Sequence, residues 1–451
     1  MKKMMPRPNI LIITTDQQSH HMMSCAGNSW LSTPNIDRIA SWGTRFSRAY
    51  CSNPVCTPSR FSWYTGRMPS AIGLRKNGNA VVREAPDELI QGGLGHLMRK
   101  VGYEVYFGGK EHLPIGLNSE SLGFDYYQSD ERDLLATDTA SLINSKSDEG
   151  SPWLIAANFI NPHDICYQAI RTFANSDQDR GLAERATIEM KELDRALEIP
   201  EGIGEDEFFS KYCPPLPNNF EVPSDEPKAI SHLVKLRGFR EKAREEWGEK
   251  EWRLHRWAYH RLTERVDGQI GKVLDALEES GQLENTVVIF TSDHGDHSSS
   301  HRLEHKTVFY DEAARVPMLV AHGRRGTGGI VNDDQVVNAG LDLMATCLDY
   351  AGVEGPDFNK GVSMKAHLEG GSVSSPNGAY AESEIGYMWA TKEYKYCHYD
   401  ACGDEEVLYD LMADPGETKN IALDTSKVNV LKSYKEELSR VRDTHLSLAF
   451  T

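Results

Sequence analysis

The chain alternates short apolar runs with longer amphipathic segments. Five runs rich in β-branched and aromatic residues predict buried strands at residues 9–16, 104–109, 153–160, 286–293 and 316–322. Segments with the 3.6-residue period of helices precede two of these runs, at 93–102 and 257–281. This alternation predicts an α/β fold in which helices flank a large, mostly parallel central sheet.

Two regions depart from the alternation. Residues 171–250 are polar and rich in charge, so we expect a variable insertion there that lies outside the core. After residue 370, short β-rich segments predict a small antiparallel sheet. The predicted organisation is a main domain at 1–370, which contains the insertion, and a smaller C-terminal subdomain at 371–451.

Composition and charge exclude several classes of protein. With 39% hydrophobic and 26% charged residues, the 451-residue chain is typical of a globular protein. Its formal net charge of −18 gives no general attraction to nucleic acid or to an anionic membrane, so neither is an expected partner. An anionic substrate would have to be held by a local group of cations. Eight cysteines are too few for a disulfide scaffold in a chain of this length.

The first residues show no targeting signal. The start, MKKMMPRPNILIITTD, contains two lysines but no apolar stretch of seven residues before the first predicted strand. We therefore expect a cytoplasmic protein, or a periplasmic or secreted one if a signal has been removed. No window approaches eighteen consecutive apolar residues, so no membrane-spanning helix is predicted. The sequence indicates nothing about the oligomeric state.

Titratable side chains follow the predicted strands directly. They are Asp16, Lys110, His112, His163, Asp293 and His294. Taken singly, such residues are more often turn or cap residues than catalytic ones. Ligands of open α/β sheets, however, bind beyond the carboxyl ends of the strands, so we expect these side chains to lie together at a functional site.

The segment CTPSRFSWYTG, residues 56–66, carries the most specific pattern in the chain. From the residues alone, Cys56 is either a reactive thiol near an arginine or a buried and inert one. The fixed positions from Cys56 to Gly66, however, match the pattern C-x-P-S-R-x-x-x-x-T-G. In this pattern the chain resembles the type I sulfatases, and so long a match is improbable by chance.

The resemblance implies an alkaline-phosphatase-like α/β sandwich that hydrolyses a sulfate monoester. In that family a formylglycine-generating enzyme oxidises the cysteine of the motif, here Cys56, to formylglycine. One hydroxyl of its hydrate attacks sulfur to give a sulfo-enzyme, and the second expels sulfate as the aldehyde re-forms. The arginine of the motif, here Arg60, anchors the modified side chain.

The resemblance also implies one divalent cation. The family's first pair of metal ligands corresponds to Asp16 and Gln17, and its later pair to Asp293 and His294. The modified Cys56 completes the predicted ligand set. Oxygen ligands favour Ca²⁺, with Mg²⁺ or Mn²⁺ as alternatives, because an imidazole nitrogen suits a transition metal better.

Further residues match the catalytic and sulfate-binding positions of the family. Lys110 and His112 lie in GGKEHLP, which matches the element G-K-x-H, and His163 lies in NPHD. Lys306 matches the sulfate-binding lysine, and His301 matches a preceding histidine that contacts the substrate. By resemblance, His112 acts as a base with Lys110, whereas His163 and Lys306 bind sulfate and help to protonate the leaving oxygen.

Two alternatives stay open at this point. A phosphonate monoester or phosphodiester hydrolase shares the cysteine motif and the Asp-Gln and Asp-His pairs, but it is expected to lack Lys110 and His112. A non-catalytic binding protein on the same scaffold would be expected to have lost Cys56 or a metal aspartate, and this chain retains them. The expected substrate is a sulfated carbohydrate, small or oligomeric, with choline sulfate and aryl sulfates as alternatives.

Overall fold

The computed structural model describes residues 7–78, 85–147, 150–174, 176–324, 328–371 and 378–450. Residues 1–6 of the segment assessed for a targeting signal lie outside this part of the chain, as do residues 372–377 at the start of the predicted C-terminal subdomain. The predicted α/β architecture is confirmed, with a large sheet covered by helices and a small second sheet.

An eight-stranded sheet forms the centre of the protein. Its strands are β1 (Asn9–Asp16), β2 (Thr44–Tyr50), β3 (Glu104–Gly109), β4 (Asp125–Gln128), β5 (Trp153–Pro162), β6 (Thr286–Ser292), β7 (Met318–His322) and β8 (Ile330–Asn338). Their spatial order is β4-β3-β5-β1-β6-β7-β2-β8. The pairs from β4 to β6 are parallel, whereas β7 runs antiparallel to both of its neighbours.

All five predicted strands are present, and β2, β4 and β8 are additional. The sequences of β2 and β8, TRFSRAY and IVNDDQVVN, mix polar with apolar residues, and β4 is only four residues long. Both β4 and β8 lie at the edges of the sheet, where one side of the strand contacts solvent. Such strands lack the continuous apolar run by which buried parallel strands are predicted.

Helices cover both faces of the sheet because alternate residues of its central strands point in opposite directions. In β1, Ile10 and Ile12 pack into the core on one face, and Leu11 and Ile13 into the core on the other. All four side chains are completely buried. Each buried aliphatic side chain of this size contributes about 1.5–3 kcal/mol, which stabilises the strand between its two helical layers.

The helices are α1 (Pro34–Trp42), α2 (Cys56–Thr65), α3 (Asp87–Gln91), α4 (Leu94–Lys100), α5 (Asp133–Asn144), α6 (Tyr167–Phe173), α7 (Asp177–Arg185), α8 (Thr187–Leu197), α9 (Glu205–Glu207), α10 (Lys228–Leu236), α11 (Gly238–Glu246), α12 (Glu249–Glu279), α13 (Asp311–Ala314), α14 (Ala339–Tyr350), α15 (Lys365–Leu368) and α16 (Val428–Leu446). The two predicted helices correspond to α4 and α12. None of the helices in the described ranges has the length and apolar character needed to span a membrane.

The segment 171–250 folds mainly as helices, α7 to α11. Phe239, Ala243 and Trp247 of this segment are buried and pack with Trp252 of α12. The expectation that the segment stays outside the core is therefore wrong for these residues, although its variability stays a prediction. Its polar composition reflects amphipathic helices that bury one side only.

A four-stranded antiparallel sheet follows near the C-terminus, as predicted. Its strands are β9 (Ala379–Ser383), β10 (Gly386–Ala390), β11 (Tyr394–Tyr399) and β12 (Glu405–Asp410), in the order β12-β11-β10-β9. Lys395 of β11 is completely buried and donates to the Phe309 carbonyl oxygen at 3.0 Å and to Glu417 Oε1 at 2.7 Å. It also contacts Asp311. This charged group ties the small sheet to the segment before β7, and the boundary between 370 and 371 stays a prediction.

Candidate active site

The residues predicted after the strands meet at one edge of the large sheet. Strands β3, β5, β1 and β6 are adjacent and parallel, so their carboxyl ends lie side by side. Lys110, His163, Asp16 and Asp293 stand at or directly after these four ends. The expectation that these side chains lie together is met, because consecutive parallel strands deliver one residue each to the same edge.

Cys56 begins α2 and is completely buried among cations. Its Sγ lies 3.0 Å from Lys306 Nζ, 3.1 Å from His294 Nε2 and 3.7 Å from Asp16 Oδ1. Burial by itself would raise the pKa of the Cys56 thiol, but Lys306, His294 and Lys110 hold that pKa well below its ordinary value. The surroundings therefore stabilise a negative charge at position 56.

Arg60, one turn further along α2, joins the two aspartates. Its Nε donates to Asp293 Oδ2 at 2.9 Å and its Nη2 to Asp16 Oδ2 at 3.0 Å, while Nη1 donates to the Lys110 carbonyl oxygen at 2.8 Å. Lys110 Nζ reaches the same Asp16 oxygen at 2.6 Å. The planar guanidinium therefore fixes both carboxylates, and its contact with a modified residue 56 stays a prediction.

Asp16, Cys56, Asp293 and His294 form a compact cluster of potential metal ligands. One ligand atom from each lies within 4.8 Å of all the others, and all four residues are buried. His294 Nδ1 stands 2.9 Å from the Gly295 carbonyl oxygen, so Nδ1 donates a proton there and Nε2 is the nitrogen that faces the cluster, where a metal ion would replace any proton on it. Two carboxylates and a neutral imidazole nitrogen suit a divalent cation.

Gln17 lies beside this cluster, and three hydrogen bonds hold its side chain. Its Oε1 accepts from Lys306 Nζ and from Cys166 Sγ, both at 2.9 Å, and its Nε2 donates to Asp296 Oδ2 at 2.7 Å. Its backbone adopts a left-handed conformation with φ of 68°. The structure therefore positions the Gln17 amide firmly, and its predicted role as a metal ligand stays a prediction.

Two histidines complete the surroundings of Cys56. His163 begins a short helix directly after β5, and His163 and His112 both lie near enough to Cys56 to interact with it electrostatically. Burial, followed by the charge of Lys110, lowers the pKa of His163 to about 4, so its imidazole is neutral near pH 7. Its Nδ1 has no hydrogen-bond partner among the described residues. A bound substrate could therefore engage this nitrogen.

The loop that carries Lys306 has an unusual backbone. The residues with positive φ in it are Ser298, Ser299, His301, Arg302, His305 and Thr307. Such conformations are unfavourable for residues other than glycine and persist only when surrounding contacts impose them. Here the His305 N–H donates to Asp296 Oδ2 at 3.0 Å, and the Thr307 N–H donates to the Pro54 carbonyl oxygen at 3.0 Å. These bonds hold Lys306 against Cys56.

His301 does not take part in this arrangement. Its ring stacks on Tyr310 with centroids 3.9 Å apart, and its Nε2 lies 3.4 Å from Asn219 Nδ2. The histidine of this loop that lines the cavity is instead His305. The predicted substrate contact of His301 is therefore not supported by its position, because the left-handed turns of the loop direct its ring toward Tyr310.

Sequence reasoning missed three residues around the site. Asp296, which orients Gln17 and the Lys306 loop, stands in the motif TSDHGD, three residues after Asp293. Cys166 bonds Gln17 and follows His163 at the same spacing. These two could have been found as neighbours of recognised motifs. Arg240, discussed below, lies in the insertion and carries no motif at all.

A cavity of about 260 Å³ opens beside His163 and Lys306. Its other charged or imidazole-bearing lining residues are Lys76, Asp179, Arg237, Arg240, His305 and Glu384. The walls thus come from the insertion, the Lys306 loop and the turn between β9 and β10. Another cavity, of about 200 Å³, is lined by residues such as Trp389 and Arg440 and includes none of the predicted site residues. The substrate is therefore expected in the first.

Comparison with known proteins agrees with this geometry. A profile described as Sulfatase matches residues 8–353, and one described as N-sulphoglucosamine sulphohydrolase, C-terminal, matches residues 299–444. A Delta 4,5-hexuronate-2-O-sulfatase from Bacteroides thetaiotaomicron is 29% identical and the alignment covers 98% of this chain and 91% of that protein. The match therefore extends along almost the whole chain.

Solved structures show the same fold. A 2-O GAG sulfatase superimposes with a TM-score of 0.80 at 27% identity, covering 97% of this chain and 92% of the other. The phosphonate monoester hydrolase of Agrobacterium radiobacter has a TM-score of 0.72 at 20% identity, covering 97% and 96%. The second likeness concerns the fold alone. With its cysteine motif, its buried Asp/Cys/His cluster and a profile match across most of its length, this chain belongs to the sulfatase family.

Proposed function

We propose that this protein hydrolyses the sulfate monoester of a sulfated carbohydrate, with a formylglycine made from Cys56 by a formylglycine-generating enzyme. The observation that carries the proposal is the position of Cys56, between the ammonium group of Lys306 and the carboxylates of Asp16 and Asp293. A nucleophile formed at position 56 would face a substrate sulfate that the ammonium group of Lys306 binds. The carbohydrate is supported by the relative that is named a hexuronate 2-O-sulfatase.

The site fits the two groups that the family implies. Asp16, Asp293 and His294 would hold a divalent cation, for which we propose Ca²⁺ because carboxylate oxygens form most of the donor set. When present, the formylglycine hydrate supplies the nucleophilic hydroxyl, and the cation supplies Lewis-acid polarisation. The two buried carboxylates of the cluster supply the negative charge that a divalent cation requires.

The remaining residues would bind the sulfate and move protons. Lys306 and Lys110 present positive charge where sulfate oxygens become more negative during the reaction. Burial would lower the pKa of the Lys306 ammonium, but the charge at Cys56 raises it above its ordinary value, so the group stays cationic. A bound sulfate would likewise raise the pKa of His163 and let it carry the proton for the leaving oxygen, with His112 as the base near residue 56.

Parallel assays test the proposed function. The protein is produced together with a formylglycine-generating enzyme and assayed on 4-nitrophenyl sulfate, glucuronic acid 2-sulfate and a phenyl phosphonate monoester. We expect hydrolysis of the sulfate esters at the higher kcat/KM. Faster turnover of the phosphonate ester would identify a phosphonate monoester hydrolase instead, which the Asp-Gln and Asp-His pairs also suit.

Removing the divalent cation should abolish activity. Asp16 and Asp293 are both buried in the cluster, and chelation by EDTA leaves their charges to Arg60, Lys110 and His294. We expect one Ca²⁺ per chain by elemental analysis, a lower Tm after chelation, and recovery of both Tm and activity on addition of Ca²⁺. Recovery of Tm and activity with Mn²⁺ but not with Ca²⁺ would show that the proposal of Ca²⁺ is wrong and that the His294 nitrogen makes the site selective for a transition metal.

Replacing Lys306 by glutamine should lower kcat/KM for sulfate esters by about 10²- to 10³-fold, the range seen when one preorganised charge or donor is removed. The rates are measured on 4-nitrophenyl sulfate, with circular dichroism to show that the fold is intact. Lys392→Gln is the matched control, because Lys392 is a partly exposed lysine that pairs with Asp334 at the surface. Less than tenfold loss in Lys306→Gln would contradict the sulfate-binding role.

A further inference from the structure

The cavity holds a second group of cations that cleavage of a sulfate does not require. Arg237, directly before α11, and Arg240, within α11, both line the cavity that also contains Lys306. Lys306 contacts Cys56, whereas the two arginines come from the 171–250 segment. The two arginines are therefore separate from the cations that surround Cys56.

Arg240 is a desolvated cation with little compensation. Its side chain is 11% exposed, and its Nε has no hydrogen-bond partner among the described residues. The carboxylate recorded near it is that of Glu304, whose Oε1 lies 3.8 Å from Nε, beyond hydrogen-bonding distance. The other oxygen of Glu304 instead contacts His305 Nδ1. A buried guanidinium in this situation is unfavourable until an anion reaches it.

Arg240 nevertheless stays charged. Burial, followed by repulsion from Arg237, lowers the pKa of Arg240 to about 10, which leaves the guanidinium protonated at neutral pH. Arg237 and Arg240 are three residues apart at the start of α11, and both line the same cavity. The pair therefore presents positive charge to the cavity under the conditions in which the enzyme works.

The other charges of the cavity do not cancel the two arginines. Lys76 Nζ lies 3.7 Å from Glu384 Oε2, so these two charges offset each other. Among the described lining residues, Asp179 is then the remaining carboxylate. It forms no ion pair with either arginine within 4.0 Å in the described part of the chain. The carboxylate of Glu304, 3.8 Å from Arg240 Nε, offsets one of the two guanidinium charges only in part, because it makes no hydrogen bond to that nitrogen.

His305 precedes Lys306 in the chain and lines the same cavity as the arginines. After burial, the charges of Arg240 and Lys306 are the main causes that hold the pKa of His305 well below its ordinary value, so both cations act on the same imidazole. The ring of His305 packs against Phe239, with centroids 5.2 Å apart. A sugar whose sulfate lies against Lys306 therefore occupies a cavity that the two arginines also line.

We propose that Arg240, together with Arg237, forms a subsite for a second oxyanion of the substrate, a carboxylate or a further sulfate on the sugar that carries the scissile sulfate. The parallel N–H groups of a guanidinium match the oxygens of either anion, and a charge-assisted bond in a desolvated cavity is stronger than one at the surface. This inference rests on the proposed sulfatase function and narrows its substrates to polyanionic carbohydrates, such as sulfated uronic acids.

Three substrates that differ in one substituent test the subsite. Glucuronic acid 2-sulfate, glucose 2-sulfate and glucose 2,6-disulfate present a carboxylate, a neutral hydroxymethyl group and a sulfate at the same place. We expect either glucuronic acid 2-sulfate or glucose 2,6-disulfate to have a higher kcat/KM than glucose 2-sulfate. The preferred substrate then shows whether the subsite binds a carboxylate or a sulfate. In Arg240→Gln the ratio of kcat/KM for the anionic substrate to kcat/KM for glucose 2-sulfate should fall by about 10- to 100-fold, because the buried pair between Arg240 and the substrate anion is lost.

Arg302→Gln is the matched control. Arg302 lies in the loop before Lys306, but its side chain is 39% exposed, pairs with Glu221 at the surface with 2.9 Å between Nη2 and Oε2, and does not line the cavity. The substrate preference should be the same in this variant as in the unaltered enzyme. Equal loss in both arginine variants would show an effect of net charge and would overturn the subsite.

A binding measurement separates failure of the subsite from failure of the proposed function. Glucuronic acid 2-sulfate and glucose 2,6-disulfate are titrated calorimetrically into Cys56→Ala, with and without Arg240→Gln. We expect Kd of the preferred ligand to rise at least about tenfold when Arg240 is replaced. Binding that depends on Arg240 without turnover by the unaltered enzyme would keep the subsite and reject the sulfatase function. Turnover of all three substrates with no anionic preference would reject the subsite and keep the function.

Discussion

Replacing Cys56 by alanine is expected to lower kcat on sulfate esters by about 10⁴-fold or more, because no nucleophile can form at position 56. The binding residues Lys110, His163 and Lys306 stay in place, so a small residual rate is compatible with the mechanism. Rates on 4-nitrophenyl sulfate are measured together with the mass of the tryptic peptide Ala49–Arg60. This peptide should lose about 18 Da in the active enzyme, as conversion of a cysteine to an aldehyde requires, and not in the variant.

Cys51→Ala is the matched control within the same peptide. Cys51 is a buried core thiol five residues before Cys56, and burial raises its pKa above the ordinary value, so it is unreactive. The variant should keep both the mass loss and the activity. An active enzyme whose peptide shows no mass change would contradict the formylglycine mechanism, as would a Cys56→Ala protein that retains more than a few per cent of the rate.

Replacing Lys395 by methionine is expected to lower the free energy of unfolding by about 3–5 kcal/mol, the cost of breaking a buried ion pair. The carboxylates of Asp311 and Glu417 would be left buried without their common cation. Burial would lower the pKa of Lys395, but these two carboxylates raise it well above the ordinary value, which shows how closely the three charges depend on one another. Urea denaturation at 25 °C measures the effect.

Lys392→Met controls for the loss of a lysine in the same region. Lys392 precedes β11, is partly exposed and pairs with Asp334 at the surface. Surface pairs of this kind contribute about 0–1 kcal/mol, so the variant should be nearly as stable as the unaltered protein. If Lys395→Met costs no more than this control, the buried charges do not hold the C-terminal sheet in place.

Much of the fold and part of the site could be predicted without coordinates. Strands β1, β5 and β6 are rich in apolar residues because both of their faces are buried. Each of these runs can be recognised from the residues of the strand alone. Their ends then place Asp16, His163 and Asp293 at one edge by the general rule for parallel sheets. The cysteine motif indicated the chemistry at position 56, because its fixed spacing lies within one helix, α2, and the glycine that follows it.

The sequence predicted less well wherever contacts join distant segments. The polar edge strand β8 and the mixed strand β2 lack an apolar pattern because partners far along the chain stabilise them. His301 matched a family position by alignment, yet the left-handed backbone of its loop stacks it on Tyr310 and leaves His305 in the cavity. Spacing along a chain does not specify the direction of a side chain in such a loop.

By itself, then, the sequence determined the α/β class, the cysteine motif and the residues that follow the parallel strands, since each depends on neighbours within a few positions. The tertiary structure alone decided what surrounds them. Arg60 joins Asp16 to Asp293 across more than two hundred residues, and Arg240 enters the cavity from a segment without any motif. Such contacts depend on how helices and strands pack against one another, and this packing involves residues that are far apart in the sequence.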